Sequence, residues 1–181
     1  DNVESRGLGD VYKRQQNRES PQWLKNRLIG IGLNPISALV DITNYLTFDR
    51  ARPLHVFDAD KLSGGLTVRR SVEGEKFHAL DDKIYELNEG MIVITDEKEI
   101  VSLGGIIGGM KSAVSDETKN VLLEAAYFDP ISIAATGRKL QINSDARYRF
   151  ERGVDPSFTL SGSHIACLLY TSPSPRDSTL S

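Results

Sequence analysis

Two side chains stand where their chemistry demands an explanation. Glu124 interrupts the apolar run Val121-Leu122-Leu123-Glu124-Ala125-Ala126-Tyr127-Phe128. Burying a carboxylate without a partner costs several kcal/mol, so Glu124 must find a partner, turn to solvent or face a cavity. On a strand, alternation alone permits the outward solution as readily as the inward one. His55 lies in Pro53-Leu54-His55-Val56-Phe57-Asp58. An imidazole in such company is either a satisfied core residue or a group poised for proton transfer near neutral pH.

Two further strings carry possible chemistry. Arg147-Tyr148-Arg149-Phe150-Glu151-Arg152 interleaves cations with aromatic rings, which suits contacts to RNA phosphates and bases. It equally suits a surface element laced with ion pairs. Leu103-Gly104-Gly105-Ile106-Ile107-Gly108-Gly109-Met110-Lys111-Ser112 comes within one residue of a phosphate-binding loop, but Met110 occupies the lysine position. The residues that follow lack the periodicity of the helix such a loop requires. The favoured reading is that the glycines let the backbone turn sharply between strands. Without side chains they also let a substrate lie against exposed backbone N–H groups.

Composition narrows the classes. Lys and Arg number 22 against 25 Asp and Glu, a net charge of −3, so any RNA contact must be local rather than a basic face. The longest apolar runs, at 91–95 and 103–110, fall well short of the roughly 20 residues of a membrane-spanning helix. No membrane partner is expected, and the expected location is cytoplasmic. One Cys and three scattered His provide neither a disulfide framework nor a structural zinc site, so no metal is expected in this region.

The elements that must position these residues read as follows. Ser20-Pro21 places a hydroxyl cap before a proline, with Trp23, Leu24, Leu28 and Ile31 at helical spacing and Gly30 and Gly32 as the stop. Pro35 opens a second helix with Ile36, Leu39, Val40 and Thr43 on one face. From Leu66 the period becomes two, with Leu66, Val68, Arg70 and Val72 alternating against Thr67, Arg69 and Ser71. Turn signals then separate short strands near 77–80, 84–87, 91–95 and 100–103, which predicts an antiparallel meander. Asp129-Pro130 starts a further helix running to about Leu140. The fold class is α+β, a mainly antiparallel sheet with flanking helices.

Both ends look foreign to this fold. Codons available for residues 167–177, read on the opposite strand one base later, translate as residues 5–15. Segments 1–15 and 167–181 are therefore expected to be translated sequencing adaptor. Residues 16–166 remain as the native domain, itself expected to be a piece of a longer chain.

Within that core, the strings Ser20-Pro21-Gln22-Trp23-Leu24, Val40-Asp41-Ile42-Thr43-Asn44-Tyr45, Pro53-Leu54-His55-Val56-Phe57-Asp58, Leu123-Glu124-Ala125-Ala126 and Arg149-Phe150-Glu151-Arg152-Gly153-Val154-Asp155-Pro156, with the glycine loop, occur in a telling order. Together they resemble the central editing region of phenylalanyl-tRNA synthetase β subunits. The resemblance implies a two-subunit (αβ)₂ class II synthetase, whose α subunit attaches phenylalanine using ATP and Mg²⁺. No cofactor is implied for the region itself. It implies that this region hydrolyses tyrosine wrongly esterified to tRNA(Phe), with the α subunit and that tRNA as partners. By the same resemblance Glu124 accepts the tyrosine hydroxyl, with Gly108 and Gly109 as pocket wall. His55, Thr43 and Asn44 line the site near the ester and terminal adenosine, and Ser144 and Ala146 limit its size. Arg147, Arg149 and Arg152 are the RNA-contact candidates. Two positions depart from the family pattern: Asn34 where a basic residue often precedes the proline, and Ser144 where threonine is usual. A non-catalytic tRNA-binding or structural module is the competing expectation.

Overall fold

The computed structural model describes residues 11–12 and 17–171. In chain order the elements are β1 (Val11–Tyr12), α1 (Gln22–Gly30), α2 (Ala38–Asp49), β2 (His55–Asp58), β3 (Thr67–Arg70), β4 (Lys76–His78), β5 (Ile84–Glu86), β6 (Ile92–Thr95), β7 (Ile100–Leu103), β8 (Ile107–Gly108), β9 (Val121–Glu124), α3 (Pro130–Leu140), α4 (Asp145–Phe150) and α5 (Thr159–Thr171). The described strands pair antiparallel in three sheets, ordered β1-β9-β2, β3-β6-β7-β8 and β4-β5. The α+β expectation is met. Val11 and Tyr12 pair with Leu122 and Val121, and α5 continues past residue 166, so parts of the two expected foreign segments lie in described elements. The remainder of both segments lies outside the described residues.

Alternation along β2 and β9 explains why their sheet sits between two cores. Val56, Val121 and Leu123 face one way, into a cluster with Leu24, Leu28, Leu39, Ile42, Leu46 and Ala166 of the helical layer. Phe57 faces the other way, among Phe77, Val93, Leu103, Ile106, Phe128 and Phe150. Because side chains alternate with a period of two, His55 and Glu124 share the Phe57 face, toward the second layer.

Two local readings are revised. Ser20 does not cap α1: its Oγ donates to Asp41 Oδ2 at 2.5 Å, and α1 begins behind Pro21 without a side-chain cap. Asp41, fully buried, also accepts from the Ile36 N–H at 2.8 Å, and α2 starts only at Ala38, behind an extended Ser37. The meander is also interrupted, because β3 pairs with β6 and the β4–β5 hairpin stands apart. Buried Ser71 is the physical reason. Its Oγ donates to Asn88 O at 2.6 Å and accepts from Met91 N at 2.9 Å, closing the base of the hairpin and returning the chain beside β3. The helix after Asp129 forms as read, with Asp129 Oδ2 accepting from Ser132 N at 2.8 Å.

The glycine loop is a turn. Gly105 has φ +70°, open to glycine at little cost, and a Cβ on Gly104 would lie 2.9 Å from both Ile92 and Phe128. No helix follows it, so the phosphate-loop reading falls.

Candidate active site

The register of β2 and β9 places His55 directly opposite Glu124, at the first residue of one strand and the last of the other. Directly opposed residues on one face have Cβ atoms about 5 Å apart. The His55 ring packs edge-on against Phe57, centroids 4.5 Å apart and planes at 80°. Its other side rests on the backbone of β8, where a Cβ at Gly108 would lie 2.5 Å from Nε2. Both residues retain some accessible surface, but His55 Nε2 and Glu124 Oε2 are shut off from solvent, with no hydrogen-bond partner among the described residues. Leaving such groups unpaired costs about 1–3 kcal/mol each.

Burial moves both proton equilibria toward neutrality. It pushes the Glu124 carboxyl up to about 7 and the His55 imidazole down to about 4. Near neutral pH the pair is therefore an uncharged imidazole beside a carboxyl present in both protonation states. Together they can donate to and accept from a polar group placed between them.

Of the other expected site residues, Gly108 is the one in contact with His55, and the rest are held as follows. Ser144 Oγ donates to Ile106 O at 2.6 Å and accepts from Arg147 N at 3.0 Å, joining the start of α4 to the β7–β8 loop. Ala146 is partly buried against the core that contains Ile106 and Phe128. Gly109 is explained by close strand approach: a Cβ there would lie 2.7 Å from Val101 O, to which its own N–H donates at 2.8 Å. Thr43 and Asn44 sit on α2, whose core residues pack on the opposite face of the sheet. The Thr43 hydroxyl donates to Val40 O at 2.7 Å, and no hydrogen bond joins Thr43 or Asn44 to His55 or Glu124.

All three candidate RNA-contact arginines have carboxylate partners. Arg147 pairs with Glu151 at 3.0 Å and donates to Ile142 O at 2.6 Å, packed where a Cβ on Gly137 would strike it. Arg149 pairs with Asp145 at 3.2 Å and lies over the Phe48 ring at 4.3 Å. Arg152 pairs with Glu151 at 2.8 Å and covers Tyr148 at 3.7 Å. Arg149, Arg152, Tyr148 and Phe158 line a cavity of about 460 Å³ together with Arg50 and Arg52. Arg52 is the residue that sequence reasoning missed. It is 1% exposed and donates to Ala126 O, two residues beyond Glu124. No spacing or motif in the sequence sets it apart from its neighbour Arg50. Among the described residues no three His, Cys, Asp or Glu side chains gather to hold a metal ion, and no helix is long and apolar enough to cross a membrane.

The sequence as a whole matches a known domain family. A model of the B3/4 domain matches residues 5–172, and the chain belongs to that family. The chain is 56% identical over 154 residues to the phenylalanine–tRNA ligase β subunit of Ruegeria pomeroyi, covering 85% of this chain and 19% of that protein. It is 57% identical over 159 residues to the corresponding subunit of Rhodopseudomonas palustris, covering 88% and 20%. It thus spans about a fifth of the length of these relatives, and the resemblance read from its motifs is borne out. A crystal structure of an N-terminal fragment of the phenylalanyl-tRNA synthetase β subunit from Pyrococcus horikoshii matches with a TM-score of 0.45 at 17% identity, over 64% of this chain and 38% of that one.

Proposed function

We propose that this chain is part of a phenylalanine–tRNA ligase β subunit, and that the His55–Glu124 pair is an editing site that hydrolyses tyrosine misattached to tRNA(Phe). One observation carries the reading: a carboxyl oxygen and an imidazole nitrogen, opposite each other, are both buried and both unpaired. A phenol hydroxyl both donates and accepts, so it satisfies Glu124 in either protonation state. Phenylalanine offers nothing, and Glu124 then stays desolvated and unpaired at about 1–3 kcal/mol, roughly a five- to 150-fold discrimination. The need for a second site is physical, because an apolar synthetic pocket rejects poorly an isostere that merely adds a hydroxyl.

The remaining expected residues take roles around this anchor. Gly108 forms the wall against which the imidazole lies, and Ser144 and Ala146 bound the space from the α4 side. Hydrolysis requires a water aimed at the ester and donors for the oxyanion. Backbone N–H groups, the ribose hydroxyl of the terminal adenosine, Thr43 and Asn44 are the organisers. Arg147, Arg149 and Arg152 supply cations toward RNA phosphates. ATP and Mg²⁺ belong, on this reading, to aminoacylation in the partner α subunit of a cytoplasmic heterotetramer. The described residues here present no cation cage.

The register favours a role for His55 at the phenol end of the substrate rather than at the ester. It stands at the same depth as Glu124, so its imidazole reaches the same end of the substrate and serves as a second partner of the phenol. The editing reading is tested by deacylation of tyrosyl-tRNA(Phe) with the complete enzyme. Glu124→Ala is expected to lose hydrolysis while keeping aminoacylation. Unchanged hydrolysis favours the non-catalytic module.

A further inference from the structure

We propose that Arg52 is the positioning residue of the His55–Glu124 pair: its buried guanidinium clamps the ends of β2 and β9 to the 153–156 loop and so fixes how the two side chains face each other. The kinetic part of this proposal rests on the editing reading above. Its structural part does not.

The chain goes to some trouble to bring Arg52 inside. At the end of α2 the backbone turns through Ala51, a non-glycine residue at φ +51°, a left-handed conformation that L-residues adopt only at a cost. The turn drives Arg52 beneath the surface, three residues before His55, leaving it 1% exposed. Its Nη1 donates to Ala126 O at 3.0 Å and its Nη2 to Asp155 O. Two arms of one rigid fork therefore hold two segments remote in sequence. Ala126 lies two residues past Glu124, and Asp155 belongs to the loop that follows α4. The aliphatic stem is wedged against α5, where a Cβ on Gly162 would lie 2.9 Å from Arg52 Cγ.

The acceptors are carbonyls, and a charge-neutral residue with one donor would serve a single strand end. A buried guanidinium is costly unless its donors are used. Burial lowers the Arg52 pKa and nearby Asp155 opposes that shift, so the charge is held by the loop it clamps. β2 and β9 end at His55 and Glu124, so beyond them no ladder continues to fix these two side chains. The guanidinium takes over where the ladder stops.

The test uses the complete enzyme carrying Arg52→Lys or Arg52→Met, with aminoacylation as the control for folding. For tyrosyl-tRNA(Phe) deacylation, Arg52→Met is expected to lower kcat on the order of ten- to a hundredfold, the scale of a small misplacement of reacting groups, with KM little changed. Arg52→Lys retains one of the two carbonyl contacts and recovers part of the loss. Hydrogen exchange followed by mass spectrometry is expected to accelerate in peptides holding residues 54–58 and 122–127, and not in the β3–β6 pair. Wild-type kcat in a folded Arg52→Met enzyme, or exchange that is unchanged or uniformly faster, overturns the proposal. If Arg52→Met fails to fold, the Lys variant decides by the same two measurements. If the wild type shows no deacylation, the editing reading fails, and the exchange pattern alone decides the role of Arg52.

Discussion

Gly108 touches the imidazole of His55 so closely that a methyl group at position 108 would lie 2.3 Å from Cε1 and 2.5 Å from Nε2. The absence of a side chain on β8 is thus a condition for the orientation of a side chain on β2. Gly108→Ala must displace the ring or the strand, and overpacking of this kind costs about 1–3 kcal/mol. Urea denaturation of the chain is expected to show a lower midpoint with an unchanged slope. An unaltered midpoint would mean that the ring has free space to move into.

The opposed shifts of the pair produce an unusual pH dependence. Glu124, raised from 4.5 to about 7, keeps in the folded state a proton that the unfolded chain has released, so its contribution is full below pH 4.5 and lost on rising to about 7. His55, lowered from 6.5 to about 4, refuses in the folded state a proton that the unfolded chain accepts, so its contribution grows with pH from about 4 to 6.5. Between 4.5 and 6.5 the two slopes cancel. Glu124→Gln removes one of them. Relative to wild type, its unfolding free energy is expected to climb with pH by about 1.4 kcal/mol per unit across that window. Parallel pH profiles for wild type and variant would contradict the buried, uncharged pair.

Asp41 is the corresponding test in the helical layer. Its two oxygens accept from Ser20 Oγ and Ile36 N while the residue is fully buried. Asp41→Ala strands both donors, at about 1.5–3 kcal/mol per charge-assisted bond. Thermal denaturation should show one of the larger losses of any single substitution in α2, whereas a surface-like change below 0.5 kcal/mol would refute the linkage.

Local signals in the sequence were enough for α1 to α3 and for β3 to β7, because glycine stops, caps and period are properties of neighbouring residues, but they assigned neither α4 nor α5. Asp129-Pro130 is an example, and the alternation from Leu66 located β3, although Val72, read on its apolar face, is exposed and Ser71 is buried. The pairing of β3 with β6 was not legible, since it depends on Ser71 bonding residues 17 and 20 positions away. At the site, Glu124 and His55 were visible as polar residues in apolar strings, but their juxtaposition is a matter of register between strands more than 60 residues apart. Arg52 gave no sign at all. Its role comes from contacts to Ala126 and Asp155, 74 and 103 positions away.

The register also makes a kinetic statement about His55. An imidazole that shares the phenol with Glu124 matters for tyrosyl and not for phenylalanyl esters. His55→Ala is then expected to slow hydrolysis of tyrosyl-tRNA(Phe) while leaving the slow background on phenylalanyl-tRNA(Phe) unchanged. Equal loss on both substrates would assign His55 to the water instead.

On this reading Glu124 recognises a hydroxyl. That recognition is tested most directly by the ratio of deacylation rates on tyrosyl- and phenylalanyl-tRNA(Phe), measured for the complete enzyme with Glu124 intact and with Glu124→Ala. The substitution is expected to collapse the ratio toward one, a loss of about five- to 150-fold for the 1–3 kcal/mol of an unpaired buried carboxyl. A folded Glu124→Ala enzyme that still prefers the tyrosyl ester by the wild-type factor would contradict it.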